Sequence, residues 1–339
     1  MSGFNAELHY RPPVFFTPRG DALIGAMARK VKVWTMAPLH LRFHMAGQFI
    51  GLARDGRTAL IRQKNGALIA WDVQTGKRGV PDPATYDADQ RMCFTTRESE
   101  NAEYPYTLLI ARDVFDAAQV KEIRLPGVQC GPLNKHPLAP YVSVKTEMEG
   151  FGFEAAGLDY VSLPGGKIVG ALPSGEPMAL YRQTDAVTVA VQPYPSGHKF
   201  VVLTVADNPA YGTTIYARSM AEIPMGDWQH PSIHASAALS RDSAQGGAQI
   251  AVIAYQPQAK PQTEMRVIAL ATGQITRALT LPSVATVLDV HPMGAYAVYS
   301  LRSYGGDMYT LFLWDLHTGK TVSFFKQLAF SHWLSAFNE

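Results

Sequence analysis

Cysteine is scarce in this chain, since only Cys93 and Cys130 occur among 339 residues. Two cysteines cannot form a disulfide framework or a zinc site, and so low a number fits a reducing compartment. Both are expected to be unpaired thiols in the core. The sequence therefore predicts neither a disulfide-stabilised secreted protein nor a bound cofactor.

Charge is also scarce. Charged residues make up 17% of the chain, against about 25% in a typical soluble protein. The net charge is +2, and no run of Lys or Arg exceeds two residues. A protein that binds a phosphate backbone needs a dense basic patch, so nucleic-acid binding is not expected. A weakly charged surface indicates instead that a protein partner covers part of it.

Long apolar runs are missing as well. No stretch approaches the roughly 18 apolar residues of a membrane-spanning helix, so no integral membrane segment is expected. Residues 1–30 lack the basic start, apolar centre and small-residue cleavage site of a signal peptide. We therefore expect a cytoplasmic protein.

What the chain does contain is 47% hydrophobic residues, arranged in a recurring unit. Two extended apolar runs flank a tight turn, as in VFFTPRGDALIGAMA, FIGLARDGRTALIRQ and TVLDVHPMGAYAVYSLR, which is the pattern of an antiparallel hairpin. The turn markers are Gly20, Gly56, Asp89, Pro140, Gly197, Gly247 and Gly294, at a mean spacing of about 46 residues. This spacing predicts seven four-stranded units, with six or eight as alternatives.

A second repeated motif gives the same number. ALIAWDVQTGK and LFLWDLHTGK share Trp-Asp and then Thr-Gly-Lys, and Trp71 and Trp314 lie 243 residues apart. If both lie on third strands, in the second and seventh units, five units of about 49 residues separate them.

These motifs resemble those of the WD40-like β-propeller superfamily. The resemblance rests on Trp71-Asp72, Trp314-Asp315, the Thr-Gly-Lys turns and the His-Pro-Met-Gly turn, and it spans most of the chain. The Gly-His dipeptide that opens standard WD40 repeats is missing, because Gly197-His198 stands at another turn. The resemblance thus implies a divergent propeller, held by apolar packing between blades rather than by the family's buried Asp-His-Ser/Thr-Trp network.

The predicted fold is all-β, a seven-bladed β-propeller of four-stranded antiparallel blades. Residues 1–326 form one propeller domain, and residues 327–339 form a C-terminal aromatic segment. The last blade is expected to contain TVLDVH, AYAVYSLR, MYTLFLWDL and TVSFFKQ as strands. No amphipathic helix interrupts the hairpins before residue 327, which excludes an alternating βαβ fold.

Three apparent motifs have simpler explanations. Gly319-Lys320-Thr321 is a turn rather than a phosphate-binding loop, since Trp314 occupies the required glycine position. Arg19-Gly20-Asp21 lies on a hairpin turn, where Gly and Asp serve the backbone. His40 and His44 lie on a predicted strand about 13 Å apart, too far to share a metal.

The C-terminal segment LAFSHWLSAFNE places Phe330, Trp333, Leu334 and Phe337 at helical spacing. This apolar stripe is compatible with three roles. It could close or cap the propeller, dock into another protein, or lie on a membrane surface, although Lys326 is the only basic residue beside it.

The loops between strands supply the other candidate surface. GPLNKHPLAPY, MGDWQHPSIH, QPQAKPQTEM and RSYGGDM are expected on one rim. His230 and His234 share one of these loops but have no third metal ligand nearby. The candidate partner-binding residues are Lys135, His136, Trp228, Gln229, His230, His234, Tyr304, Phe330, Trp333 and Phe337.

No nucleophile and base occur at an informative spacing, so the leading hypothesis is a non-enzymatic scaffold or accessory subunit of a multiprotein assembly. The alternative is a propeller-type hydrolase or lactonase-like enzyme with a polar or metal site at the central channel. That alternative would require at least three converging Asp, Glu, Asn or His side chains.

Overall fold

The fold is taken from a computed structural model. The structure describes residues 14–27, 30–99, 106–129, 134–135, 141–147, 156–162, 167–168, 179–182, 187–193, 199–207, 215–224, 232–240, 249–257, 262–302 and 308–328. These residues form β-strands, turns and two short 3₁₀ turns, and no α-helix occurs among them. The predicted all-β class is confirmed.

The described residues form seven antiparallel sheets, in which strands pair with their sequence neighbours except in sheet 4, where both β12 and β13 pair with β14. Sheet 1 contains β1 (Val14–Phe16), β2 (Ala22–Met27), β3 (Lys30–Met36) and β4 (Leu39–Ala46). Sheet 2 contains β5 (Gln48–Leu52), β6 (Thr58–Arg62), β7 (Leu68–Asp72) and β8 (Arg78–Gly79). Sheet 3 contains β9 (Met92–Glu98), β10 (Tyr106–Asp113) and β11 (Val120–Pro126).

The later sheets follow the same plan. Sheet 4 contains β12 (Val128–Gln129), β13 (Asn134–Lys135), β14 (Tyr141–Glu147), β15 (Ala156–Ser162) and β16 (Lys167–Ile168). Sheet 5 contains β17 (Ala179–Arg182), β18 (Val187–Pro193), β19 (Lys199–Asp207) and β20 (Ile215–Pro224). Sheet 6 contains β21 (Ser232–Leu239), β22 (Ile250–Pro257), β23 (Thr263–Ala269) and β24 (Ile275–Leu281). Sheet 7 contains β25 (Ala285–Val290), β26 (Tyr296–Arg302), β27 (Met308–Asp315) and β28 (Thr321–Leu328).

The chain divides into two compact units. The first consists of residues 1–10, 49–176 and 207–216, and the second of residues 11–48, 177–206 and 217–339. Sheets 2, 3 and 4 thus lie in the first unit, apart from Gln48. Sheets 1, 6 and 7 and most of sheet 5 lie in the second.

Within each unit, neighbouring sheets bury apolar side chains between them, because a lone four-stranded sheet leaves two apolar faces exposed. In the second unit, Val252 and Met265 of sheet 6 share a core with Tyr299 and Trp314 of sheet 7. In the first unit, one core contains residues of sheets 2 and 3, and another joins sheet 3 to β14. Apolar packing between sheets is therefore the main stabilising interaction.

The strand positions predicted for the last blade agree with β25 to β28. Trp71 lies on β7 and Trp314 on β27, and each is the third strand of its sheet, as predicted. The β28 strand extends to Leu328, which is two residues beyond the predicted domain boundary at 326.

One turn marker was assigned to the wrong position. Asp89 lies in a 3₁₀ turn, Ala88–Gln90, and sheet 3 has no strand before it among the described residues. Pro81 and Pro83 precede it, and proline cannot donate to a strand ladder. The markers Pro140, Gly197 and Gly247 lie outside the described residues.

Candidate functional site

The first hairpin turns of three sheets have one geometry. Gly20, Gly56 and Gly294 have φ between 66° and 73°, a region that favours glycine. Each glycine amide donates to the carbonyl three residues earlier, on Thr17, Ala53 and His291, over 2.8 Å. The predicted repeat is thus a repeated turn that ends each first strand.

The Trp-Asp motifs form a second repeated turn, between third and fourth strands. The Asp72 carboxylate accepts hydrogen bonds from the amides of Gln74 and Thr75, and Asp315 accepts them from His317 and Thr318. The glycines of both turns, Gly76 and Gly319, have positive φ. In an antiparallel meander, the first and third turns emerge at the same end of the sheet. The two aspartates of the repeated Trp-Asp motif therefore stabilise turns.

The charges of these aspartates are stabilised by the turns. At Asp315, the hydrogen bond from the Thr318 amide holds the pKa of the carboxyl below its ordinary value, against a smaller effect of burial. At Asp72, burial alone would raise the pKa, but hydrogen bonds from Arg57 and from the turn amides together lower it. Both groups stay ionised as turn acceptors.

Polar side chains join sheet 1 to sheet 7, and we call this contact the seam. The amide of Phe16, at the edge of sheet 1, donates to the Asp289 carboxylate over 2.7 Å in a buried position. His291 lies 9% exposed. Its Nε2 is 3.1 Å from the Gly20 carbonyl oxygen, and its Nδ1 accepts from the Met293 amide. A carbonyl only accepts, so Nε2 carries the proton and the ring is neutral.

The seam also contains aromatic contacts, which lie between β3 and β28. The Trp34 ring of β3 makes edge contacts with Phe324 and Phe325 of β28, at centroid distances of 5.3 and 5.8 Å. The Lys32 ammonium lies 3.8 Å from the centre of the Phe325 ring. Sheets 1 and 7 thus contact each other near their first strands and also between β3 and β28.

Sheets 6 and 7 use the same kind of polar contact. The buried hydroxyl of Ser236 accepts from the Val287 amide over 2.9 Å, and that of Thr263 accepts from the Ala285 amide over 3.1 Å. Both amides belong to β25, the edge strand of sheet 7. Because a buried amide without a partner is costly, these hydroxyls stabilise the junction of the two sheets.

In the first unit, the connector of residues 80–91 runs between sheets 2 and 3. Gln90 accepts a hydrogen bond from the Leu52 amide of β5 over 3.1 Å, while its backbone lies against Gly51. Arg91 pairs with the buried carboxylate of Asp113 over 3.0 Å. The connector therefore contacts the edge strand of sheet 2, although it forms no strand itself.

Tyr86 lies at the centre of this connector and is 2% exposed. Its ring packs near Phe115, with 5.9 Å between centroids. The hydroxyl has no hydrogen-bond partner among the described residues, and burial raises the pKa of Tyr86 to about 12. The indole N–H of Trp314 likewise has no partner in the described part of the chain.

Of the predicted partner-binding residues, the structure describes two. Lys135 lies on β13, opposite Val142, and His234 lies on β21, opposite Gln256, where the register shifts. The remaining eight lie outside the described residues: His136, Trp228, Gln229, His230, Tyr304, Phe330, Trp333 and Phe337. Their role in binding stays a prediction.

Most residues of the four predicted loops lie outside the described part of the chain. The segments 256–265 and 302–308 each join the second to the third strand of a sheet, in sheets 6 and 7. The segment with Lys135 and His136 precedes β14 of sheet 4, which belongs to the other compact unit. The expectation of one common rim stays a prediction.

Among the residues that the structure describes, no group of three His, Cys, Asp or Glu side chains could hold a metal ion. No helix in the described part of the chain could span a membrane.

Consecutive antiparallel strands, mostly four to a sheet, with neighbouring sheets packed on each other in each unit, are the arrangement typical of β-propeller blades.

No protein family matches the sequence, and no curated protein matches it either. Among solved structures, the chain is similar to Hsv2 of Kluyveromyces lactis, at 10% identity and a TM-score of 0.42, over 94% of this chain and 98% of that chain. It is also similar to an oligogalacturonate lyase from Vibrio parahaemolyticus, at 13% identity and a TM-score of 0.48, over 86% of each chain. Such distant likenesses say nothing about activity.

The sequence interpretation missed Asp289, His291, Ser236 and Gln90. Each is a single polar residue in or beside an apolar strand, and its partner is distant in sequence. The only available signal was that a polar side chain within a buried strand requires a hydrogen-bond partner.

Proposed function

We propose that this chain is a cytoplasmic, seven-bladed WD40-like β-propeller that acts without catalysis as a scaffold or accessory subunit of a multiprotein assembly. The observation that supports it is the use of the buried polar side chains. Asp289, His291 and Ser236 all bind main-chain groups of a neighbouring sheet.

A catalytic acid or base must face its substrate and exchange a proton with it. The described Asp289 and His291 instead bind the Phe16 amide and the Gly20 carbonyl within the fold. A neutral imidazole held at both nitrogens suits a rigid contact. These groups favour a structural role for the first strands of the sheets. A partner would then bind to the last strands.

The periphery has apolar side chains that a partner could cover. Outer strands of four sheets expose one large apolar residue each: Leu41, Val120, Ile275 and Val322. Single exposed apolar residues are ordinary on protein surfaces, so they permit docking along these strands without demanding it.

The test is affinity purification of the full-length chain, tagged at the N-terminus, from its native cell at near-physiological salt, followed by native mass determination. We expect the chain to co-purify with at least one other protein at a fixed stoichiometry. A clean monomer that retains a metal ion or small molecule would contradict the scaffold function and favour the hydrolase alternative.

The C-terminal segment is tested by deleting residues 329–339, which leaves β28 complete. Loss of folding, measured by thermal melting, would assign the segment to closure of the propeller. An unchanged melting temperature with loss of the co-purifying protein would assign it to docking.

A further inference from the structure

One part of the chain has no acidic residue. No Asp or Glu occurs between Asp21 and Asp55, a stretch of 33 residues, although the chain contains 28 acidic residues among 339. At that average, two or three would be expected here. The same stretch forms most of sheet 1, and besides His40, His44 and Arg54 it contains Arg29, Lys30, Lys32 and Arg42.

Strand pairing brings three of these basic residues, Lys30, Lys32 and His44, to one face. Lys32 lies opposite His44, and Trp34 opposite Leu41, on neighbouring strands β3 and β4. Paired residues share a face, and Lys30, Lys32 and Trp34 alternate along β3. Trp34 contacts the phenylalanines of β28, so this face is directed towards sheet 7.

Sheet 7 contributes apolar side chains of β28, of which Phe325 contacts Trp34 and Lys32. Phe325 and Val322 pair with Leu311 and Leu313 of β27, which alternate on one face. Val322 is 56% exposed and Leu41 is 46% exposed. Exposed apolar side chains thus accompany the basic residues on both sides of the seam.

Lys32 is partly buried here without a negative partner. Its ammonium lies over the Phe325 ring, and no carboxylate among the described residues pairs with it. Burial lowers the pKa of Lys32, and the nearby charge of Lys30 lowers it further. An aromatic ring attracts a cation but does not neutralise it. A carboxylate placed between the two lysines would relieve this repulsion.

We propose that this basic seam, formed by Lys30, Lys32 and His44 with Leu41 and Val322, binds an acidic segment of a partner protein that also carries apolar side chains. The proposal rests on the proposed scaffold function and names its docking surface. Arg42 and His40 of β4 and Lys326 of β28 are also exposed near these residues. A partner segment with both acidic and apolar side chains suits this surface better than a bare phosphate backbone, because exposed apolar residues accompany the charges.

The first test uses a fluorescent 12-residue peptide of alternating Glu and Leu or Val, with a Gln version as its control. The full-length protein should bind the Glu peptide, more weakly as salt rises, and the Gln peptide should bind at least about fivefold more weakly. Equal binding of the two peptides would overturn the proposal.

Variants locate the site. Lys30→Glu, at an exposed position, should weaken binding about fivefold, and Lys32→Met, which keeps the aliphatic stem, about threefold. The matched control is Lys121→Glu, at an exposed lysine on the outer strand β11, which should bind as the wild type does. Unchanged binding by Lys30→Glu would overturn the seam as the site. So would Lys30-dependent binding of phosphatidylserine vesicles or single-stranded DNA in place of the peptide.

Failure of this site and failure of the scaffold function are distinguishable. If Lys30→Glu co-purifies with the same assembly as the wild type, the basic seam is not the docking surface, and the scaffold function stands. If the wild type is a monomer in its cell but binds the Glu peptide through Lys30, the peptide site stands and the scaffold function fails.

Discussion

The substitution Gly20→Ala tests the seam most directly. Gly20 has φ of +73°, and a Cβ built on it would lie 2.0 Å from Nε2 of His291. The added methyl group therefore meets two separate penalties, one from its own backbone and one from a ring on sheet 7. Only the second depends on the contact between the first and last sheets.

The magnitude follows from these two contributions. An L-residue in the left-handed region costs about 1–2 kcal/mol. Forcing a methyl group into a packed contact adds about 1–3 kcal/mol, since the ring must move and give up its bond to the Gly20 carbonyl. We expect Gly20→Ala to lower the free energy of unfolding by about 2–5 kcal/mol, measured by urea denaturation.

Gly66→Ala is the matched control, because Gly66 has φ of +84° and no atom within 4 Å of its built Cβ. It should lose only the backbone contribution of about 1–2 kcal/mol. In the His291→Ala variant, the further substitution Gly20→Ala should cost only this backbone contribution, since the clash with the imidazole ring has been removed. If Gly20→Ala and Gly66→Ala are equally destabilising, sheet 1 does not pack on sheet 7 as described.

Three further substitutions test single contacts by urea denaturation. Asp315→Ala should lower the free energy of unfolding by about 1 kcal/mol, whereas Asp315→Asn keeps the turn acceptor. Because the turn amides lower the pKa of Asp315, its stabilising contribution is present above the ordinary carboxyl pKa. That contribution is lost on acidification. Ser236→Ala leaves the Val287 amide unpaired and should cost about 1–3 kcal/mol. Tyr86→Phe should be neutral or slightly stabilising, since the hydroxyl has no described partner. With the pKa of Tyr86 raised to about 12, wild-type stability should fall as pH rises from 10 to 12, and less so in Tyr86→Phe.

The sequence predicted the elements whose signals are local. Alternating apolar residues predicted the strands of sheet 7, and the glycines of the first hairpin turns have the positive φ that such turns require. Trp71 and Trp314 lie on third strands because the Asp after each Trp and the Thr-Gly that follows specify a turn. These features depend on fewer than ten consecutive residues.

Contacts between sheets could not be predicted in the same way. The bond from Phe16 to Asp289 joins residues 273 positions apart, and neither residue differs locally from others in apolar strands. The connector before sheet 3 was wrongly predicted to form a hairpin, because its position fitted the repeat spacing. Its prolines are incompatible with a paired strand. The basic seam needed both strand pairing and the contact with β28 before its residues could be grouped.

The buried polar residues next to the first strands are constrained by the structure, because each of them binds a main-chain amide of an edge strand. The first strand of each sheet has a neighbour on one side only, so buried amides on the other side require acceptors. Asp289, Ser236 and Gln90 supply these acceptors at three edge strands, those beginning sheets 1, 7 and 2. Replacing any of them for a catalytic purpose would leave an amide buried and unpaired. The fourth strands carry no such requirement where they face solvent, and Leu41 and Val322 are exposed there, while Lys30 is exposed at the start of the third strand of sheet 1. Selection for a partner can therefore act on the outer strands without destabilising the junctions between sheets.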